Sequence, residues 1–274
     1  MRKIFFATAF ALLSASYSFR WGSNREAWGA VSNPFKWEYE TKPFVYRALV
    51  PTVSDIFNIS VEYIVLIFCV GLGLVMLGLR DKYWGKSLRN DIALVLAFSL
   101  VISSVEYYKK IYDIPTAFFF TLLIYLWSEK KYLISMPVFL LSSLNRETTA
   151  ILIPVFLILH RDIFTTFSYS VSWGFARFVT TTAYADNAGN SIYIRPLENA
   201  MNYLESPVGL LVLITVATAI LIMFFSNKPK SSGYVSLLFP VLLGMHVVAG
   251  APFEIRVFAE IMPVLFMGAF LIPN

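Results

Sequence analysis

Long apolar runs alternate with short polar segments along this chain. The runs with few or no charged residues fall near 61–79, 92–106, 114–127, 208–225, 234–249 and 257–273. A helix of about 20 apolar residues matches the roughly 30 Å hydrocarbon core of a bilayer. The pattern therefore predicts an all-α fold, a polytopic transmembrane helix bundle.

Two further segments bear on the number of spans. Residues 4–19 follow Met1-Arg2-Lys3 and predict either a signal peptide or an uncleaved first span, and the many later spans favour the span. Residues 163–184 contain many Thr and Ser residues as well as Arg177, so this segment either crosses or lies in the interface. We expect about ten crossings in a single transmembrane domain covering 1–274. Residues 20–58 are expected to form the longest early loop.

The most informative break in the pattern is the polar segment Asn145-Arg146-Glu147-Thr148. It lies between two short apolar stretches, 132–144 and 147–160, which predict two short broken helices. An ionisable residue at the centre of a spanning helix costs about 2.5 kcal/mol or more. The segment therefore indicates a polar site that is buried in protein, faces water or binds a charged ligand.

Composition supports the membrane assignment. Hydrophobic residues make up 58% of the chain and charged residues 14%, against roughly 25% charged in soluble domains. The single cysteine, Cys69, excludes an intrachain disulfide framework and a multi-cysteine metal site. The net charge of +5 comes from scattered basic residues, which favour contact with lipid headgroups and give no indication of nucleic acid as a partner.

Charge placement predicts the orientation. The loops at 80–91 and 227–233 are short and basic, so we expect them on the cytoplasmic side, with both termini. Asp113, Arg146 and Glu254 then lie at the outer side. His160 and His246 fall at opposite faces, so the sequence predicts neither a metal site nor another cofactor, and a role for a divalent cation stays open.

The charged residues around the break have two interpretations. Asp113 and Glu147 resemble acids in the first turn of a helix, with Asn145 as a cap residue before Glu147. Arg146 beside a helix N-terminus is typical of a phosphate-binding site. The alternative for Arg146 is a pair with a glutamate that locks two helices together.

Other charged residues have simple structural interpretations as well. Arg47 is either a ligand-binding residue or an interfacial side chain that extends toward water. Arg256 and Glu260 are four residues apart, so a local helical pair is the favoured interpretation for Glu260. Glu254 lies near the same helix.

Four segments together resemble a known family. They are "PFVYRALVP" (43–51), "YDIPTAFFF" (112–120), "LNRETTAILIP" (144–154) and "FEIRVFAEIMPVL" (253–265). In this order the chain resembles the GT-C superfamily of integral-membrane glycosyltransferases, especially its small bacterial members. The resemblance implies a GT-C-like bundle in the bacterial cytoplasmic (inner) membrane, with its site facing outward.

The resemblance also implies an activity and roles for residues. Such enzymes move a sugar from a polyprenyl-phosphate donor to a glycan, lipid or protein acceptor on the outer face. Arg146 and Arg256 would bind the lipid phosphate, with Arg47 as a third candidate. A glutamate of the first outer loop would be the general base that activates the acceptor hydroxyl, and the candidates are Glu26, Glu38 and Glu40.

The residues leave two other functions open. A transporter or lipid flippase also builds sites from broken helices with charges at half-helix ends. An envelope polysaccharide polymerase or acyltransferase is the other alternative.

Overall fold

The computed structural model describes residues 6, 8–13, 49–106, 113–183, 185–186, 201, 234, 237–238, 242 and 260–271. All regular structure in these residues is helical, which confirms the all-α prediction. The helices are α1 (Leu49–Phe57), α2 (Val61–Tyr83), α3 (Leu88–Glu106), α4 (Asp113–Ser128), α5 (Tyr132–Asn145), α6 (Leu152–His160), α7 (Ile163–Ala183) and α8 (Met262–Phe270). A 3₁₀ turn, Glu147–Ile151, connects α5 to α6.

Helix α4 is the centre of the described bundle. Twelve of its sixteen residues are buried, among them Asp113 at its start and Trp127 near its end. It packs against α2, α3, α5 and α8. Since protein covers α4 on nearly every side, its apolar residues face other helices, and a polar residue on it needs a partner from the protein.

Two glycines allow close approach of aromatic rings to α2. A Cβ atom at Gly71 would lie 2.8 Å from the ring of Phe118 in α4, and one at Gly73 would lie 2.5 Å from the ring of Phe10. Both distances are shorter than carbon atoms tolerate, so each position needs the absence of a side chain. The glycines serve helix packing.

Helices α5 and α6 form a hairpin whose tip is Arg146. Ser142 and Thr149 share a hydrogen bond of 2.8 Å on the two sides of the tip. At the open end, the hydroxyl of Tyr132 lies 3.1 Å from Nδ1 of His160. Helices α5 and α6, the two limbs of the hairpin, therefore run antiparallel, and the first residue of α5 lies beside the last residue of α6. Fourteen residues of α5 span about 21 Å at the helical rise, less than the roughly 30 Å hydrocarbon core.

The open end of the hairpin is closed by a network of polar side chains. Nε1 of Trp127 donates to the hydroxyl of Tyr169 at 2.8 Å, and Ser135 contacts the same hydroxyl. The other ring nitrogen of His160 lies 2.8 Å from the hydroxyl of Tyr234. Helices α4, α5, α6 and α7 are thus tied together at this level.

A second set of polar contacts joins α2 to α3. The guanidinium of Arg80 is buried, with Nε 2.8 Å from Asp81 and Nη1 paired with Asp91. Lys82 pairs with Glu129 just beyond α4, which lowers the pKa of the Glu129 carboxyl through the hydrogen bond and the charge of Lys82. These pairs fix the ends of three helices.

The structure corrects several predicted boundaries. Within the predicted loop 20–58, residues Leu49–Phe57 are helical. The predicted loop 80–91 is short, because α2 continues to Tyr83 and α3 begins at Leu88. The segment 163–184 is one continuous helix, Ile163–Ala183.

Among the described helices, α2 alone is both long and apolar enough to cross a membrane, and three shorter apolar helices accompany it. This is compatible with a membrane location. Ten crossings are not established: the predicted spans 208–225 and 234–249 lie almost wholly outside the described residues, as does most of 4–19.

Candidate functional site

The candidate site is an ion-pair cluster around Arg146. Its Nη1 atom lies 3.2 Å from Oδ1 of Asp113 and 3.2 Å from Oε1 of Glu260. The exposed fractions of Arg146, Asp113 and Glu260 are 3%, 0% and 0%. Two carboxylates from distant parts of the sequence therefore meet at one nitrogen atom of Arg146 inside the bundle.

Local structure explains why Arg146 points inward. The residue has extended backbone angles, φ −157° and ψ 136°, between the end of α5 and the 3₁₀ turn. Arg146 therefore belongs to neither helix, and its side chain contacts Asp113 and Glu260. Asp113 begins α4, next to the tip, and Glu260 lies two residues before α8.

Neutral polar side chains surround the charged groups. Thr148 donates its hydroxyl to Oε1 of Glu260 at 3.0 Å, and the amide of Asn145 donates to Thr116 in α4 at 2.8 Å. The indole of Trp173 in α7 donates to the backbone carbonyl of Glu147 at 3.1 Å. The hairpin tip is thus fixed to α4, α7 and the segment before α8.

The role predicted for Asn145 needs correction. Asn145 is the last residue of α5 and not a cap of the following turn, because Arg146 occupies the cap position and makes no side-chain cap bond there. Glu260 contacts Arg146 from a distant part of the chain, and its predicted local pair with Arg256 lies outside the described residues. Glu147 does begin the 3₁₀ turn as predicted, and its side chain is half-buried.

Several predicted site residues lie outside the described residues, and their predicted roles stay predictions. They are Glu26, Glu38, Glu40, Arg47, Glu254 and Arg256.

Sequence reasoning did not single out Thr116 or Trp173, and it gave Thr148 no role beyond its place in the polar segment 145–148. Thr and Trp are common in apolar helices, so neither residue type marked these positions.

The electrostatics of the cluster follow from its composition. One guanidinium faces two carboxylates, so the three groups carry a net charge of −1 when all are ionised. Water is almost excluded, and charge interactions at such sites are much stronger than at a surface. The cluster can therefore hold a helix junction together, bind an anion at Arg146 if a carboxylate withdraws, or take up one proton.

No group of three or more His, Cys, Asp or Glu side chains positioned to hold a metal ion occurs in the part of the chain that the structure describes. Comparisons of the chain with models of protein families, with curated proteins and with solved structures found no match.

Proposed function

We propose that this chain is a multi-pass membrane glycosyltransferase. It moves a sugar from a polyprenyl-phosphate donor to an acceptor on the outer face of the bacterial cytoplasmic membrane. One observation carries the proposal: three of the four segments on which the GT-C resemblance rests meet at Arg146. "YDIPTAFFF" supplies Asp113, "LNRETTAILIP" supplies Arg146, and "FEIRVFAEIMPVL" supplies Glu260.

The convergence supports a shared site, because chance similarity of short apolar segments gives no reason for their charged residues to touch. The side chains of Asp113 and Glu260 are separated by 147 positions (260 − 113), yet both lie 3.2 Å from the same nitrogen. A buried charge network of this kind is also expensive to keep in an apolar bundle. We infer that the charges are retained for the ligand.

The surface of the described helices supports the membrane part of the proposal. Large apolar side chains of α7 recur every three or four residues along one exposed face, each more than half exposed. They are Phe164, Phe167, Val171, Phe175 and Phe178. Contiguous exposed apolar surface of this kind marks contact with a membrane or a partner. Helix α3 has a similar stripe formed by Leu88, Ile92, Leu96 and Leu100.

The proposal assigns roles in two groups. Within the cluster, Arg146 binds the carrier phosphate, and Asp113 holds the guanidinium in place. From the resemblance, Arg47 and Arg256 are further phosphate ligands, and Glu26, Glu38 or Glu40 is the base that removes the acceptor proton. Asn145, Glu147 and Glu254 are the remaining candidates for ligand-binding residues.

A transporter or flippase is the second candidate, and the hairpin favours it. Transporters place substrates at broken helices, where half-helix ends point at a charged group. The α5–α6 hairpin has its break and its arginine inside the bundle. The two candidates differ in product: a transporter moves a labelled lipid-linked sugar across a vesicle membrane unchanged, whereas a transferase releases the polyprenyl phosphate.

Substitution of Arg146 by lysine tests the proposal. Lysine keeps the positive charge but not the planar pair of donors that matches two phosphate oxygens. A charge-assisted hydrogen bond contributes about 1.5–3 kcal/mol, so donor affinity should fall roughly 10- to 150-fold. Binding of a polyprenyl-phosphate sugar and its transfer to an acceptor would both be measured in the purified full chain.

Arg80 offers a matched control. It is buried, like Arg146, and contacts two aspartates. Arg80→Lys should therefore perturb stability in a similar way and leave donor affinity unchanged. If Arg146→Lys and the wild type bind the donor equally well, Arg146 does not bind the phosphate. Full turnover after neutralising Glu26, Glu38 and Glu40 together would remove the first-loop base.

A further inference from the structure

Glu260 is held in an unusual way for a buried carboxylate. Its Oε1 atom lies 3.2 Å from Nη1 of Arg146 and accepts a hydrogen bond of 3.0 Å from Thr148. Its Oε2 atom is buried and has no hydrogen-bond partner in the described part of the chain. A buried carboxylate is normally satisfied on both oxygens, so Glu260 is only partly satisfied where it lies.

The contacts of Arg146 with its two carboxylates are single-point contacts. Both use the same nitrogen at 3.2 Å, whereas charge-assisted N–H···O bonds are typically about 2.7–2.9 Å. A guanidinium binds a two-oxygen anion best through two parallel hydrogen bonds. Asp113 and Glu260 therefore neutralise Arg146 without making the strongest contact that its shape permits.

The two carboxylates differ in how firmly they are placed. Asp113 is the first residue of a sixteen-residue helix, where the N-terminal end of the helix dipole stabilises a negative charge. Its shorter side chain also has fewer rotamers. Glu260 lies two residues before α8 and reaches Arg146 with a longer, more flexible side chain. Of the two, Glu260 is the one that can move away at lower cost.

We infer that Glu260 is an internal competitor, which occupies Arg146 in the ligand-free protein and gives way to the phosphate of the lipid carrier. This inference rests on the proposed function, because it assumes that Arg146 binds that phosphate. Two carboxylates and a phosphate around one guanidinium would leave excess negative charge in an apolar interior. A displaced and still ionised Glu260 would be costly there.

The exchange therefore involves a proton. Glu260 takes up one proton as it leaves Arg146, and the protonated carboxyl is neutral in its new position. Among the described residues, the charged groups that face Glu260 are Arg146, from the hairpin tip, and Asp113, from α4. Asp113 stays on Arg146 together with the phosphate.

The test compares binding of an undecaprenyl monophosphate in detergent micelles to the full chain and to Glu260→Gln. Glutamine keeps the size of the side chain and removes the competing charge, so affinity should rise by about tenfold or more. Glu129→Gln is the matched control: it makes the same change in net charge at an ion pair with Lys82, far from the cluster. Its affinity should equal that of the wild type.

A pH series sharpens the test. Between about pH 8 and about pH 6, wild-type affinity should rise relative to Glu260→Gln, because protonation removes the competitor in the wild type alone. The phosphate of the probe itself titrates near pH 6. Because Glu260→Gln binds the same probe, its pH dependence gives the contribution of the phosphate, and the difference between the two proteins gives that of Glu260. Affinity of Glu260→Gln equal to or below that of the wild type would overturn the inference.

A second variant covers a failure of Glu260→Gln to fold, judged by a monodisperse elution profile. Thr148→Val removes the hydrogen bond that holds Oε1 of Glu260 and should raise affinity several-fold, in line with the loss of about 0.5–1.5 kcal/mol. The inference and the proposed function fail differently. If Glu260→Gln binds the lipid phosphate more tightly than the wild type but the wild type transfers no sugar, only the transferase function is contradicted. If the wild type transfers sugar but Glu260→Gln does not bind the lipid phosphate more tightly, the competitor role of Glu260 is contradicted and the transferase is not. If neither the wild type nor any variant binds the lipid phosphate, both are contradicted.

Discussion

Nη1 of Arg146 lies 3.2 Å from Oδ1 of Asp113, across 33 positions of the chain. The contact joins the tip of the α5–α6 hairpin to the N-terminus of α4, the most buried helix described. Because both side chains are almost fully enclosed, neither can exchange its partner for water. The position of the hairpin and the charge state of the cluster are therefore linked.

A double-mutant cycle measures this link. Removing one partner of a buried pair typically costs about 3–5 kcal/mol, so Asp113→Asn and Arg146→Gln should each lower the free energy of unfolding by that order. Arg146→Gln should cost more, because it leaves two buried carboxylates. The double variant should lose clearly less than the sum of the two, as seen in thermal or denaturant unfolding in detergent. Additive losses would show that the two side chains do not interact.

Topology is testable by cysteine labelling in a Cys69→Ala background, since Cys69 is buried. Lys86→Cys and Lys131→Cys should react with a membrane-impermeant maleimide from the cytoplasmic side only. Leu133→Cys should resist it from both sides, because this exposed side chain is 81% accessible on an apolar helix face and would contact lipid. Labelling of position 86 from outside intact cells would show that the predicted orientation is wrong.

A side chain at the position of Gly73 should destabilise the folded protein. Its added Cβ atom would lie 2.5 Å from the ring of Phe10, so Gly73→Ala forces a shift that typically costs about 1–3 kcal/mol. Gly174 in α7 has nothing within 4 Å of the same position. Gly174→Ala should therefore stabilise the chain by up to about 1 kcal/mol through helix propensity. Melting temperatures that move in the same direction would contradict the packing assigned to Gly73.

Tyr169 should contribute through its hydroxyl. Tyr169→Phe leaves the buried indole N–H of Trp127 and the hydroxyl of Ser135 without this partner. Loss of a partner by buried polar groups costs about 1–3 kcal/mol. Tyr63 is an exposed tyrosine on α2, so Tyr63→Phe is the control and should change the free energy of unfolding by less than about 0.5 kcal/mol.

Asp162 should stabilise the start of α7 in a pH-dependent way. Its carboxylate accepts hydrogen bonds from the backbone and the hydroxyl of Thr165, and these bonds, the hydroxyl first, lower its pKa. A lowered pKa in the folded state means that the contribution is complete above the unfolded value of about 3.9 and is lost as pH falls through the folded value.

Asp162→Ala should therefore cost about 1 kcal/mol at neutral pH and progressively less in acid. Unfolding of both proteins at several pH values checks this. Asp162→Asn keeps an acceptor oxygen and should recover part of the loss without the pH dependence. A loss from Asp162→Ala that stays constant down to pH 2 would exclude the charged cap.

Sequence reasoning located the helices well where polar residues bounded an apolar run at both ends. The limits of α4 and of α5 agree with prediction within two residues, because a charged residue or a turn stops each run. It failed at Leu49–Phe57, where polar residues on one face hid a short helix in a predicted loop. Charge placement drew attention to Asp113 and Arg146, since their cost in an apolar chain is visible in the sequence. The sequence offered a pair between Arg146 and a glutamate as an alternative but did not identify Glu260 as that glutamate, because Arg256 at a helical spacing competes with any distant partner.

The hairpin has a consequence for how the protein is made. Helix α4 leaves the ribosome before α5 and α6, so Asp113 is already present when Arg146 is synthesised. Neither helix of the hairpin is as long as a standard membrane span, so under the proposed membrane location the two helices and Arg146 would insert as one unit. Glu260 is synthesised 114 residues after Arg146 (260 − 146). The cluster is therefore completed only after Glu260 has been synthesised, and a chain that stops before residue 260 carries the first ion pair without the second.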